Sequence, residues 1–67
     1  MEEYVKRMID ELSELSGRLE RLERFIQGAD FKELGIEERN LMKGQLNSMR
    51  VYEYFLERRI SLKTQYE

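Results

Sequence analysis

Residues 41–60 read LMKGQLNSMRVYEYFLERRI, and the reading of this stretch decides the fold. Met42, Gln45, Met49, Tyr52, Leu56 and Arg59 recur at spacings of three and four, which places them on one face of an α-helix. Leu46, Phe55 and Ile60 flank that face and widen its apolar stripe. A stripe broader than a coiled-coil seam predicts burial against more than one neighbour. Gln45 and Arg59 stand where a plain core would be apolar. The stretch reads as the second arm of a helical hairpin.

The first arm lies upstream. Val5, Met8, Leu12, Leu15, Leu19, Leu22 and Ile26 form an unbroken heptad seam, with Ile9 and Phe25 beside it. Helices are expected over residues 2–27 and 36–63, joined by a connection over 28–35. Glu2 and Glu3 in the first arm, and Glu37 and Glu38 in the second, favour the positive ends of the helix dipoles. Gly28 is a candidate left-handed stop for the first helix. Asp30 is expected to cap a short turn from Phe31 to Leu34, with Phe31 and Leu34 plugging that end of the hairpin. So short a connection requires the arms to run antiparallel. Gly17, beside Ser13 and Ser16, and Gly44, beside Ser48, form two small patches. They predict either a close crossing of the helices at one height or neutral surface positions. Beyond Ile60 the pattern weakens, and Tyr66 either packs on a partner or stands in solvent.

The expected fold is all-α: a coiled-coil-like antiparallel two-helix hairpin assembling into a homo-oligomeric helical bundle. The chain is 67 residues, one domain at most. A lone hairpin has no closed core, and association, as a dimer or higher, is the expected remedy.

Composition excludes much chemistry. His and Cys are both absent, so disulfides, thiolate nucleophiles and the usual zinc ligands are ruled out. The sequence contains no phosphate loop or dinucleotide-binding fingerprint. A di-metal helical bundle needs inward Glu and a Glu-x-x-His motif, whereas the acids here fall outside the seam. No catalytic residue, metal site or cofactor is expected. Charged residues make up 39% of the chain but nearly balance at a net −2, which argues against general nucleic-acid binding. No apolar run reaches the roughly 20 residues of a membrane span, and no signal-peptide pattern opens the chain, so a cytoplasmic location is expected.

Binding is the chemistry left. The cations are eight Arg against four Lys, and Arg offers a planar fork for carboxylate or phosphate. The plain alternative is that these Arg pair with helix-surface Glu. Arg59 either snorkels from the end of the seam or meets an anion. Arg50, Tyr52, Tyr54, Arg58 and Arg59 interleave aromatic and cationic groups, a pattern that can stack a base and clamp a phosphate. The alternative there is that Tyr52 and Phe55 are core and Tyr54 is surface. In an antiparallel hairpin Tyr4, Lys6 and Arg7 lie near Ile60 and Lys63. Tyr4, Arg7, Arg58 and Arg59 then converge at the open end, where subunits of an oligomer can enclose a small anion. The candidate ligand-binding residues are Tyr4, Arg7, Gln45, Tyr52 and Arg59, with Arg on phosphate and a Tyr on the base.

The stretches Met1–Glu11 and Leu19-Glu20-Arg21-Leu22-Glu23-Arg24-Phe25-Ile26 carry a resemblance, together with Phe31…Leu34, Glu37-Glu38-Arg39-x-Leu41-Met42, Gln45-Leu46-x-x-Met49-x-x-Tyr52 and Leu56-x-x-Arg59-Ile60. Over nearly its whole length the chain resembles a widespread family of small phage-encoded helical-hairpin proteins, related to a small protein of crAss-like phages. The resemblance implies the cytoplasm of an infected bacterium. It also implies counter-defence, because small oligomeric phage proteins of this kind recur among inhibitors of bacterial immunity. Some are sponges that sequester a nucleotide-derived signal between subunits. The chain differs from hairpin sponges in lacking Trp and a Glu–Ala-rich second helix. Two functions are therefore expected: non-enzymatic sequestration of a nucleotide signal in an oligomer, or an oligomeric module that blocks or adapts a host or phage protein.

Overall fold

The computed structural model describes residues 2–64, so Tyr66 lies outside the described residues. Helix α1 spans Glu3–Gln27, α2 is a single turn over Ala29–Lys32, and α3 spans Ile36–Thr64. The two long helices pack antiparallel as a hairpin. The molecule is a rod of 49 × 15 × 15 Å.

The α1 seam packs as its heptads dictate. Val5, Met8, Leu15 and Leu19 are buried, and Leu12, Leu22 and Ile26 are half-buried. Val5, Met8 and Leu15 close around Leu56, which is 1% exposed, with Leu12, Met49 and Ile60 packed against them. Each fully buried aliphatic side chain stabilises by about 1.5–3 kcal/mol.

The face that α3 turns inward differs from the expected one. Met42, Leu46, Met49, Glu53, Leu56 and Ile60 face α1, while Gln45, Tyr52, Phe55 and Arg59 are exposed. The two readings share Met42, Met49 and Leu56, which are seven apart. They differ in whether the intervening knobs are 45, 52 and 59 or 46, 53 and 60. Burying Leu46 and Ile60 outweighs the cost of one polar knob, and Glu53 is satisfied there. Ser16 Oγ donates to its Oε2 at 2.8 Å. The half-buried arginine of α3 is accordingly Arg39, not Arg59.

The turn also differs in detail. Gly28 has φ −90° and ψ 173°, so it ends α1 in extended rather than left-handed backbone, and its N–H donates to the Phe25 carbonyl. Asp30 lies inside α2, and its side chain makes no cap; its carbonyl accepts from the Glu33 N–H. Phe31 is buried and Leu34 half-buried, and Phe25 meets Phe31 edge-on at 6.4 Å. Gly17 and Gly44 do not mark a close crossing. A side chain at Gly44 would meet nothing within 4 Å, and one at Gly17 only the Arg21 guanidinium. Ser16 lies beside Glu53 and Glu23 beside Arg50, so the two glycines sit at different heights along the rod.

Candidate functional site

Helical spacing sets the site's framework. On α1, Tyr4, Arg7, Glu11 and Arg18 share one edge, next to the buried seam. On α3, Gln45, Tyr52 and Arg59 recur every seven residues along the edge adjoining it. The hairpin brings these edges together. The Tyr52 hydroxyl donates to the Glu11 carboxylate across the groove. Toward the open end the Lys63 ammonium lies 5.4 Å from the centre of the Tyr4 ring.

The electrostatics follow from these contacts. Donation to Glu11 holds the Tyr52 phenol above its ordinary value, aided by partial desolvation and by the Glu11 charge. The Arg59 and Arg18 charges pull it weakly the other way. Lys63 is held above its ordinary value as hydrogen-bond partner and charge partner of Tyr4.

Four of the five expected ligand residues, Tyr4, Arg7, Tyr52 and Arg59, are thus gathered on one edge toward the open end, all exposed. Gln45 lies on the same line but seven residues before Tyr52, about 10 Å along the helix axis. It stands on the side of Tyr52 away from the open end, about 21 Å along the axis from Arg59. Glu11 and Lys63 join the group. Glu11 was findable, because it stands midway between Tyr4 and Arg18 in a repeat of seven. Two members of the aromatic–arginine stretch, Arg50 and Tyr54, point elsewhere. Arg50 pairs with Glu23 on the far edge, and Tyr54 meets Phe55 edge-on at 5.3 Å on the outer surface.

The arginines divide into two groups. Arg18, Arg24 and Arg50 pair with Glu14, Glu20 and Glu23, as ordinary helix-surface ion pairs do. Among the described residues, no carboxylate lies within 4.0 Å of Arg7, Arg21, Arg39, Arg58 or Arg59, and of these Arg7, Arg58 and Arg59 lie toward the open end. The open end therefore presents uncommitted guanidinium groups beside exposed phenol rings and a single hydrogen-bonding carboxylate. Phosphate oxygens suit the former, a base face the rings, and ribose hydroxyls the Glu11 acceptor. At the other end, Arg24, Phe25, Gly28, Ala29 and Asp30 line a shallow open depression. Among the described residues there is no cluster of three metal-ligating side chains, and no helix is long and apolar enough to cross a membrane.

The family model described as Sequestin matches residues 2–62, nearly the whole hairpin. No curated protein and no solved structure matches the chain.

Proposed function

The chain belongs to the Sequestin family, non-enzymatic phage anti-defence proteins that sequester signalling nucleotides, and on that premise we propose where and how it holds its ligand. The lack of Trp and of a Glu–Ala-rich second helix therefore does not set it apart from sequestering hairpins. The nucleotide lies along the edge bounded by Tyr4, Arg7, Tyr52 and Arg59. Arg7 and Arg59 clamp its phosphates, Tyr52 stacks its base, and Glu11 accepts from its ribose. The observation that carries this reading is that Arg7 and Arg59, both exposed on the edge that holds Tyr52, have no carboxylate within 4.0 Å among the described residues.

Magnitudes call for more than one subunit. A sponge works stoichiometrically, so it must bind at or below the signal's concentration. A Kd of 1 μM corresponds to about −8.2 kcal/mol. Two charge-assisted contacts at about 1.5–3 kcal/mol each, with one stacked base at about 1–3, come to roughly 4–9 kcal/mol. The lost freedom of the ligand offsets at least about 4 of these. One open edge binds at millimolar strength, so a homo-oligomer that encloses the ligand closes the gap. The setting is the cytoplasm of the infected bacterium. Kinship with small proteins of crAss-like phages rests on the helical stretches that carry the resemblance.

Calorimetric titration with cyclic nucleotides and ADP-ribose derivatives tests the site. Arg59→Ala and Arg7→Ala should each weaken binding at least about tenfold without changing helicity or subunit number. Wild-type affinity in Arg59→Ala removes Arg59 from the site.

A further inference from the structure

Helix α3 carries a second stripe that the hairpin leaves bare. Leu41, Gly44, Ser48, Val51, Phe55 and Leu62 recur at helical spacings on the face of α3 turned away from α1. Leu41 is 68% exposed and Phe55 57%. We propose that this stripe is the surface on which a second copy of the chain packs, with the two α3 helices antiparallel about a two-fold axis near Val51 and Tyr52.

Shape and charge select a second copy and its direction. Antiparallel pairing about that axis sets Phe55 against the partner's Ser48, with Gly44 one turn away, and Leu41 against the partner's Leu62. The largest knob meets the smallest residues of the stripe. At Gly44 a side chain would meet nothing inside the hairpin, so the space there is free for a neighbour. Phe55 is already held edge-on by Tyr54, which limits its freedom before pairing. The same arrangement brings Glu37 and Glu38, at the acidic start of α3, to within about one turn of the partner's Lys63. Parallel pairing would set the basic ends against each other. The helix dipoles also oppose in the antiparallel pair.

The pairing completes the nucleotide edge. A two-fold axis perpendicular to both helices keeps Gln45, Tyr52 and Arg59 of both copies on one side of the pair. The partner's Gln45 then stands beside Arg59, although within one chain the two are 14 residues, about 21 Å, apart. Gln45 reads the ligand of the neighbouring subunit. This last step rests on the proposed nucleotide site; the pairing itself does not.

Ligand-free sedimentation of the full chain tests the pairing. The wild type should be at least dimeric. Gly44→Leu, which meets no atom within its own hairpin and favours helix, should keep or raise helicity yet weaken association at least about a hundredfold; Phe55→Glu should do the same. A monomeric wild type, or a Gly44→Leu chain that associates like the wild type, overturns the interface. The chain has no cysteine, so direction is read by oxidising introduced ones. Leu41→Cys and Leu62→Cys chains should cross-link when mixed and not alone. Cross-linking of each alone overturns the antiparallel arrangement. If the pairing holds while Gln45→Ala binds nucleotide like the wild type, only the completion of the site fails.

Discussion

Ser16 Oγ donates a 2.8 Å hydrogen bond to Glu53 Oε2 across the α1–α3 seam, so the one carboxylate on the inward face of α3 has a partner there. Removing the hydroxyl alone leaves a half-buried carboxylate without its donor. Ser16→Ala should therefore destabilise by about 1 kcal/mol, the loss of one partly solvated charge-assisted bond. Replacing both partners, Ser16→Ala with Glu53→Leu, should be neutral or stabilising, because an apolar knob then sits between Leu46 and Ile60. Urea unfolding at one fixed protein concentration compares the variants.

Leu56 should be the costliest aliphatic residue of α3 to truncate. Leu56→Ala removes a side chain that touches the Val5–Met8–Leu15 cluster and should cost about 2–5 kcal/mol. Leu41→Ala removes an exposed side chain and should leave hairpin packing almost unchanged while weakening association. Thermal melts over a range of protein concentrations separate the two effects.

Gly17 marks no helix contact, since the atom a new side chain would meet belongs to the mobile end of Arg21, at 3.4 Å. Gly17→Ala should stabilise by up to about 1 kcal/mol through helix propensity. Destabilisation in urea unfolding would reveal a neighbour that packs on this position.

The Tyr52–Glu11 contact gives an alkaline signature. Folding raises the Tyr52 value above the ordinary 10.0, chiefly through donation to Glu11. The folded state thus binds the proton more tightly than the unfolded one. The contribution to stability is complete below that ordinary value and is lost as pH rises through the raised one. Tyrosinate absorbance should show a late-titrating phenol in the wild type that Tyr52→Phe loses. The stability difference between wild type and Tyr52→Phe should shrink over the same interval.

The architecture was legible because α1 offers one apolar pattern of threes and fours. Nothing in Val5 to Ile26 competes with it, and the short turn compels an antiparallel return. The inward face of α3 was not legible to the same degree. Met42, Met49 and Leu56 belong equally to a stripe through Gln45, Tyr52 and Arg59 and to one through Leu46, Glu53 and Ile60. The first sets Gln45 and Arg59 around a large aromatic, the second Leu46 and Ile60 around a carboxylate, and the carboxylate at its centre masks the more apolar of the two stripes. Ser16 satisfies that carboxylate, and its part appears only once the helices are set side by side. The same one-residue rotation moves Tyr52 and Arg59 from presumed core to exposed edge, where Glu11 and Lys63 join them. The gathering of Tyr4, Arg7 and Arg59 was readable, since it needs only two helices of similar length closing at one end. Gln45 lies about 21 Å along the helix from Arg59 within one chain, and helical spacing alone does not show that the two would meet only across the proposed pair.

Native mass spectrometry of the freshly purified protein, before and after incubation with cyclic nucleotides and ADP-ribose derivatives, tests sequestration most directly. A discrete oligomer should carry extra mass, release an intact nucleotide on denaturation, and lose that mass in Arg59→Ala. An oligomer that stays bare across the whole panel would contradict the proposed site, and release of a cleaved nucleotide would contradict sequestration without turnover.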